Sequence, residues 1–182
     1  WINELHYDNE GGDTGEFVEI VVEDVSAIDL GLLDVELYRD NGTRYGSIGD
    51  VDIDFVVGAT SGSFAFYSWS TTLQDGPADG LALCYNDIPI QVISYEGTFD
   101  ATDGCANGES SQDIGVSESS STQVGESLQL VGTGSTVDDF SWAGPASSSV
   151  GSVNDGQVLS TTTGPIENIT KTTFHSTIQE AI

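Results

Sequence analysis

Basic residues are nearly missing from this sequence. Only Arg39, Arg44 and Lys171 are basic among 182 residues, against 30 acidic ones, for a formal net charge of −27. A nucleic-acid binder neutralises phosphates with Lys and Arg, so direct contact with DNA, RNA or an anionic membrane surface is excluded as a main role. Self-repulsion on this scale opposes folding at low salt. High ionic strength, which shortens the Debye length to about 3 Å at 1 M, or bound Ca²⁺ relieves it. A saline habitat, divalent cations or both are implied.

Other scarcities narrow the field further. No run approaches the ~20 apolar residues of a membrane-spanning helix. The two histidines, His6 and His175, lie near opposite ends of the chain and are the only neutral-pH bases. Ser is abundant, but no Gly-x-Ser-x-Gly elbow stands in the strand-and-helix setting it needs, and the phosphate-cradling Gly-x-x-x-x-Gly-Lys pattern is missing. A nucleophilic triad is therefore not expected, and the chain reads as non-catalytic. Two cysteines and two distant histidines are no zinc set at usable spacing. In an oxidising setting Cys84 and Cys105 read as one disulfide; the alternative is two unrelated thiols.

The residues present favour short strands joined by tight turns. Apolar residues make up 37% of the chain, enough for a core, and 22 glycines accompany many Ser and Thr. Period-2 alternation recurs at Phe17–Val22, Val35–Tyr38, Phe64–Trp69, Leu81–Cys84, Ile90–Tyr95, Leu128–Leu130 and Phe140–Trp142. Asp40-Asn41-Gly42-Thr43, Asp75-Gly76-Pro77, Asp79-Gly80 and Asn86-Asp87 supply turn chemistry between these runs. The fold class is all-β, and the opening Trp1–Leu5 reads as a first strand that follows signal removal or trimming. Residues 100–122 read as a long loop whose base a Cys84–Cys105 bridge would tie down. Composition shifts after about residue 157. Residues 158–173 read as a linker or extension strand, and 174–182, with Phe174, Ile178 and Ile182 at helical spacing, as the start of a further module.

Three acidic groups are candidate sites. The loop Asp8, Asn9, Glu10, Asp13 and Glu16 offers oxygen ligands among glycines, as a Ca²⁺ loop requires, although its spacing is not that of an EF-hand. Its alternative is a solvated hairpin loop. Glu4 and Glu19, with Glu16, form a second group. Carboxylates on strands can accept main-chain N–H bonds from that loop and hold its shape, a role more in keeping with this sequence than paired glycosidase acids. The third group, Asp100, Asp103, Asn107, Glu109, Asp113 and Glu118, either binds Ca²⁺ or keeps a mobile loop soluble. Tyr67, Trp69 and Tyr95 could in principle form a carbohydrate-stacking surface, but strand aromatics are more often core or cross-strand partners.

A resemblance adds to this reading. Ile2-Asn3-Glu4-Leu5-His6-Tyr7-Asp8-Asn9 and Gly12–Ile20, then Asp79–Leu83, Ser94–Gly97, Asp113–Ser119, Ser127–Leu130, Trp142–Ala146 and Asn154–Gln157, follow in the order of the lamin-tail domain of bacterial secreted proteins, which residues 1–157 resemble. The resemblance implies an immunoglobulin-like β-sandwich that accompanies nucleases, phosphatases or surface proteins as an accessory part. It implies an extracellular or cell-surface location, with other domains or further copies of the chain as partners. Phe174–Ile182 is similar to the opening of parallel β-helix repeats. A second form of the same expectation is a filament or adhesin subunit in which Ile166, Ile169 and Phe174 belong to a donated strand.

Overall fold

The structure, a computed structural model, describes residues 1–161 in full, together with the main chain of Glu167–Asn168 and Thr173–Phe174. Two β-sheets pack face to face. The first has the strand order β11-β10-β1-β2-β6-β5, with β12 parallel to the far end of β10. Its strands are β1 (Ile2–His6), β2 (Phe17–Glu23), β5 (Val56–Ser61), β6 (Phe64–Ser70), β10 (Glu126–Gly134), β11 (Phe140–Ser147) and β12 (Gln157–Leu159). The second sheet has the order β4-β3-β7-β8-β9, built from β3 (Leu33–Tyr38), β4 (Arg44–Asp50), β7 (Gly80–Tyr85), β8 (Ile88–Ser94) and β9 (Gln112–Asp113).

Alternation decides what each face carries. Val18, Ile20 and Val22 of β2, Ala65, Tyr67 and Trp69 of β6 and Leu128 of β10 meet Leu33, Val35 and Leu37 of β3, Leu81 and Leu83 of β7 and Ile93 of β8 in one core between the sheets. β1 departs from the pattern. Its register against β2 shifts between Ile2 and Glu4, the mark of a β-bulge. The extra residue lets Ile2 and Leu5, three apart, both enter the inter-sheet core, while Asn3 and Glu4 both hydrogen-bond to groups over the outer face.

Both sheets are also covered on the outside. Over the second sheet, Phe99, Ala101 and Ala106 pack on Tyr38, Ala82 and Cys84. Cys84 and Cys105 form the disulfide, at a sequence separation of 21, and fix this cover to β7; a loop of that length stabilises by about 3 kcal/mol in the chain-entropy account. Gly42 marks how closely the cover is drawn in. At φ 76° it adopts a conformation open to glycine, and a Cβ there would sit 1.8 Å from the Asp100 carbonyl oxygen. Over the first sheet, Val153 and Leu159 pack with Trp1 on Val21, Phe64 and Phe66.

The alternating runs of the sequence are all strands here. β4 and β5 are additions; they are edge strands with mostly exposed residues, so no apolar alternation announces them. Within 100–122 the chain makes an isolated bridge at Asp100 and Ser110 and the short β9. The sheet runs to Leu159, two residues past the expected boundary at 157. Ile166 and Ile169 of the expected donated strand lie outside the described residues. So does all of 174–182 except the main chain of Phe174, which with Thr173 forms β14 and pairs with β13 (Glu167–Asn168) in a separate two-stranded ladder. No helix among the described residues is long and apolar enough to cross a membrane.

Candidate functional site

Polar side chains gather in three places. The first lies on the outer face of the first sheet. β1 and β2 place Glu4 directly opposite Glu19, and both are fully buried. Glu4 Oε1 accepts from Ser127 Oγ at 2.7 Å, Ser148 Oγ at 2.8 Å and the Ser149 main-chain N–H at 2.9 Å, and Oε2 accepts from Ser149 Oγ at 2.8 Å. Glu19 accepts from Asn3 Nδ2 at 3.0 Å and from the Gly151 N–H. Burial pushes the Glu19 carboxyl up to about 8, against the pull of those two donors and with a smaller push from Glu4. The segment 148–151 thus lies over two carboxyl groups as a strap, and Asn154 and Gln157 extend the network to Asn3.

The second place is the loop end around β1. Glu118 Oε2 accepts the N–H groups of Tyr7 at 2.6 Å and Asp8 at 3.1 Å, while Oε1 meets His6 Nδ1 at 2.9 Å. His6 and Glu118 are both buried. Burial alone would lower the His6 pKa; the hydrogen bond and charge of Glu118, helped by the Thr14 carbonyl and Glu16, outweigh it and raise the value. Asn9 Nδ2 reaches His6 Nε2 and the Thr14 carbonyl, each at 2.9 Å, and its buried Oδ1 has no hydrogen-bond partner among the described residues.

The structure divides the expected Ca²⁺ set. Asp8 and Asp13 come together, and Asp75 from another loop joins them, with one oxygen of each within 4.8 Å of the others. Glu10 is exposed, with its N–H on the Thr122 carbonyl. Glu16 turns to the Leu73 N–H, and the Asn9 side chain to His6. Burial, with the charges of Asp13 and Asp8, pushes Asp75 up to about 6, and burial with Asp13 raises Asp8. The anchoring expected of strand carboxylates occurs, but Glu4 and Glu19 hold the strap rather than the 8–16 loop.

The acidic 100–118 group disperses. Asp100 accepts from Ser110 Oγ, Asp103 from the Arg44 N–H, Asp113 from the Gly115 N–H, and Glu118 turns to β1, while Asn107 and Glu109 are exposed. Tyr67, Trp69 and Tyr95 are buried in the inter-sheet core, the more common place for strand aromatics, and so form no exposed sugar-stacking surface. Two acids join these clusters from far along the chain: Glu118, expected in the 100–118 group, and Asp75, which no site expectation named. Glu118 is 112 residues from His6, and Asp75 approaches from the β6–β7 connection.

The third place is a groove of about 620 Å³ where β8 and β9 face β11. Ile90, Val92 and Ile93 of β8 line it from one sheet, and Leu130 of β10 with Phe140 and Trp142 of β11 line it from the other. Asp113 and Asp138, both exposed, add negative charge. No protein-family model, curated protein or solved structure matches the chain.

Proposed function

We propose that this chain is a non-catalytic extracellular module, an immunoglobulin-like sandwich of the lamin-tail kind, that spaces or anchors other domains of a secreted or surface protein. The observation supporting this reading is where the groups fit for chemistry point. His6 and Glu118 hold each other and the Tyr7 and Asp8 main chain, and Glu4 and Glu19 lie under the strap; all four are buried. The open groove, by contrast, is lined among the described residues by no His, Cys, Ser–His pair or basic residue. The disulfide supports a non-reducing location. Assayed on phosphomonoester, phosphodiester and glycoside nitrophenyl substrates, the purified chain is expected to give no turnover above buffer. Turnover that disappears in Glu118→Gln or Glu4→Gln would overturn the reading.

The same reading carries a ligand, Ca²⁺ at Asp8, Asp13 and Asp75. Oxygens within 4.8 Å of one another fit a cation that takes its ligands at about 2.3–2.6 Å. Three carboxyls with no basic residue among them also gain from a divalent charge. Millimolar Ca²⁺ is expected to raise Tm by several degrees over EGTA, through binding to the folded state alone, and Asp75→Asn to remove the difference. Equal melting in Ca²⁺ and EGTA would eliminate the site.

A further inference from the structure

We propose that the groove between β8 and β11 receives an extended basic polypeptide segment as an added strand on the β11 edge. This rests on the module reading above and names the partner such a module would take. Consecutive residues Ile90–Ile93 and Phe140–Trp142 line the groove. Successive side chains of a strand point to opposite faces, so a surface touching every residue in a run is the strand edge, with its main-chain N–H and C=O groups. Among the described residues both edges are open there. β11 pairs with β10 alone, and β9 covers β8 only at Ile93 and Ser94, leaving the side of Ile88–Val92 that faces away from β7 without a strand.

The two edges are not equivalent. Pro89 takes a donor from β8, whereas β11 runs from Phe140 to Ala143 before its own proline, Pro145. β11 is therefore the edge that pairs, over about 13 Å of strand at 3.3 Å per residue. Side chains on the core-facing side of the incoming strand would lie beside Trp142, which packs on the inter-sheet core, and Ile90, 58% exposed, stands at the groove's rim. Charge selects the occupant. Asp113 and Asp138 stand in the groove without a cation among the described residues that line it, and the chain as a whole carries −27. A strand that alternates apolar residues with Lys or Arg is complementary; a second copy of this chain brings the same negative charge and is disfavoured.

The test is fluorescence anisotropy with a labelled Lys-Val-Lys-Val-Lys-Val-Lys peptide at about 1 M NaCl, where the Debye length is about 3 Å and diffuse attraction is screened. Saturable binding is expected, weakened at least about tenfold when the central Val is Pro, since Pro breaks the ladder and leaves the charge. Ile90→Lys and Asp138→Lys are expected to weaken it similarly with Tm retained, both positions being exposed, while Asp155→Lys, away from the groove, changes it less than about twofold. Equal binding of the Pro peptide, or equal loss with Asp155→Lys, would reduce the effect to charge alone and overturn the proposal. So would no peptide binding beside saturable quenching of Trp fluorescence by cellohexaose, which would make the groove a sugar site. Turnover in the nitrophenyl assays with peptide binding intact would sink the module reading and leave the groove; lost peptide binding without turnover would sink the groove alone.

Discussion

Replacing Glu4 by Leu is expected to lower stability by about 3–5 kcal/mol, because several buried donors lose their acceptor at about 1–3 kcal/mol each where nothing replaces it. The reason is the number of donors that converge on it. Ser127, Ser148 and Ser149 hydroxyls and the Ser149 N–H all end on its two oxygens. The hydroxyls can rotate to other acceptors, but the main-chain N–H cannot, and a buried donor left unmet costs about 1–3 kcal/mol alone. For a domain of this size, each kcal/mol shifts Tm by about 2–4 °C, so a fall of roughly 10 °C is the reading sought. Glu4→Gln keeps the shape and one acceptor and should lose less than half as much. If Glu4→Leu melts within about 2 °C of the parent, the strap is not held by this group.

Salt is expected to act on a similar scale. At pH 8, raising NaCl from about 10 mM to about 1 M shortens the Debye length from roughly 30 Å to 3 Å and should raise Tm by more than about 10 °C, because 30 carboxyl residues face three basic ones. Acid should act the same way. Burial holds Glu19 up at about 8 and Asp34, Asp75 and Asp79 at about 6. A carboxyl whose folded value is raised imposes no cost below the ordinary carboxylate range, and its cost grows as pH climbs to the folded value. His6, raised in the fold, adds stability below its unfolded value of 6.5 and loses it as pH climbs through the folded one. The signs agree, so stability falls from about pH 4.5 to pH 8. High salt should flatten the share from exposed groups and leave that of buried Glu19, Asp79 and His6; Glu19→Gln should then remove the part that persists up to about pH 8. A melting temperature that rises between pH 5 and 8 at either salt level would contradict this assignment.

The two halves of this picture were legible to different degrees in the sequence. Alternation at Phe17–Val22, Phe64–Trp69 and Leu81–Cys84 located central strands because their inner faces are apolar and their neighbours fix them. The same period explains why Trp69 and Tyr67, inviting as a binding surface, are core. β5 escaped because Val56 and Val57 are both exposed, so its residues follow no two-fold pattern. The Cys84–Cys105 bridge followed from an even cysteine count. The partners of the buried acids did not. That carboxylates on β1 and β2 hold a loop by its main chain follows from their chemistry; which loop they hold depends on a strap about 130 residues further along. The Ser149 hydroxyl is one of many in this sequence, and a main-chain donor leaves no signature in its own side chain, so Gly151 did not advertise its role.

That last property reaches beyond the strap. Glu36 holds the Cys105 N–H, Glu118 those of Tyr7 and Asp8, Glu16 that of Leu73 and Asp79 that of Asp40. An N–H is supplied by every amino acid except proline. The covering segments can therefore drift widely in sequence while keeping their paths, provided the acid beneath is kept and proline stays out of the anchored position. Among descendants of such a chain, the acids would be the fixed letters and the segments they hold the variable ones.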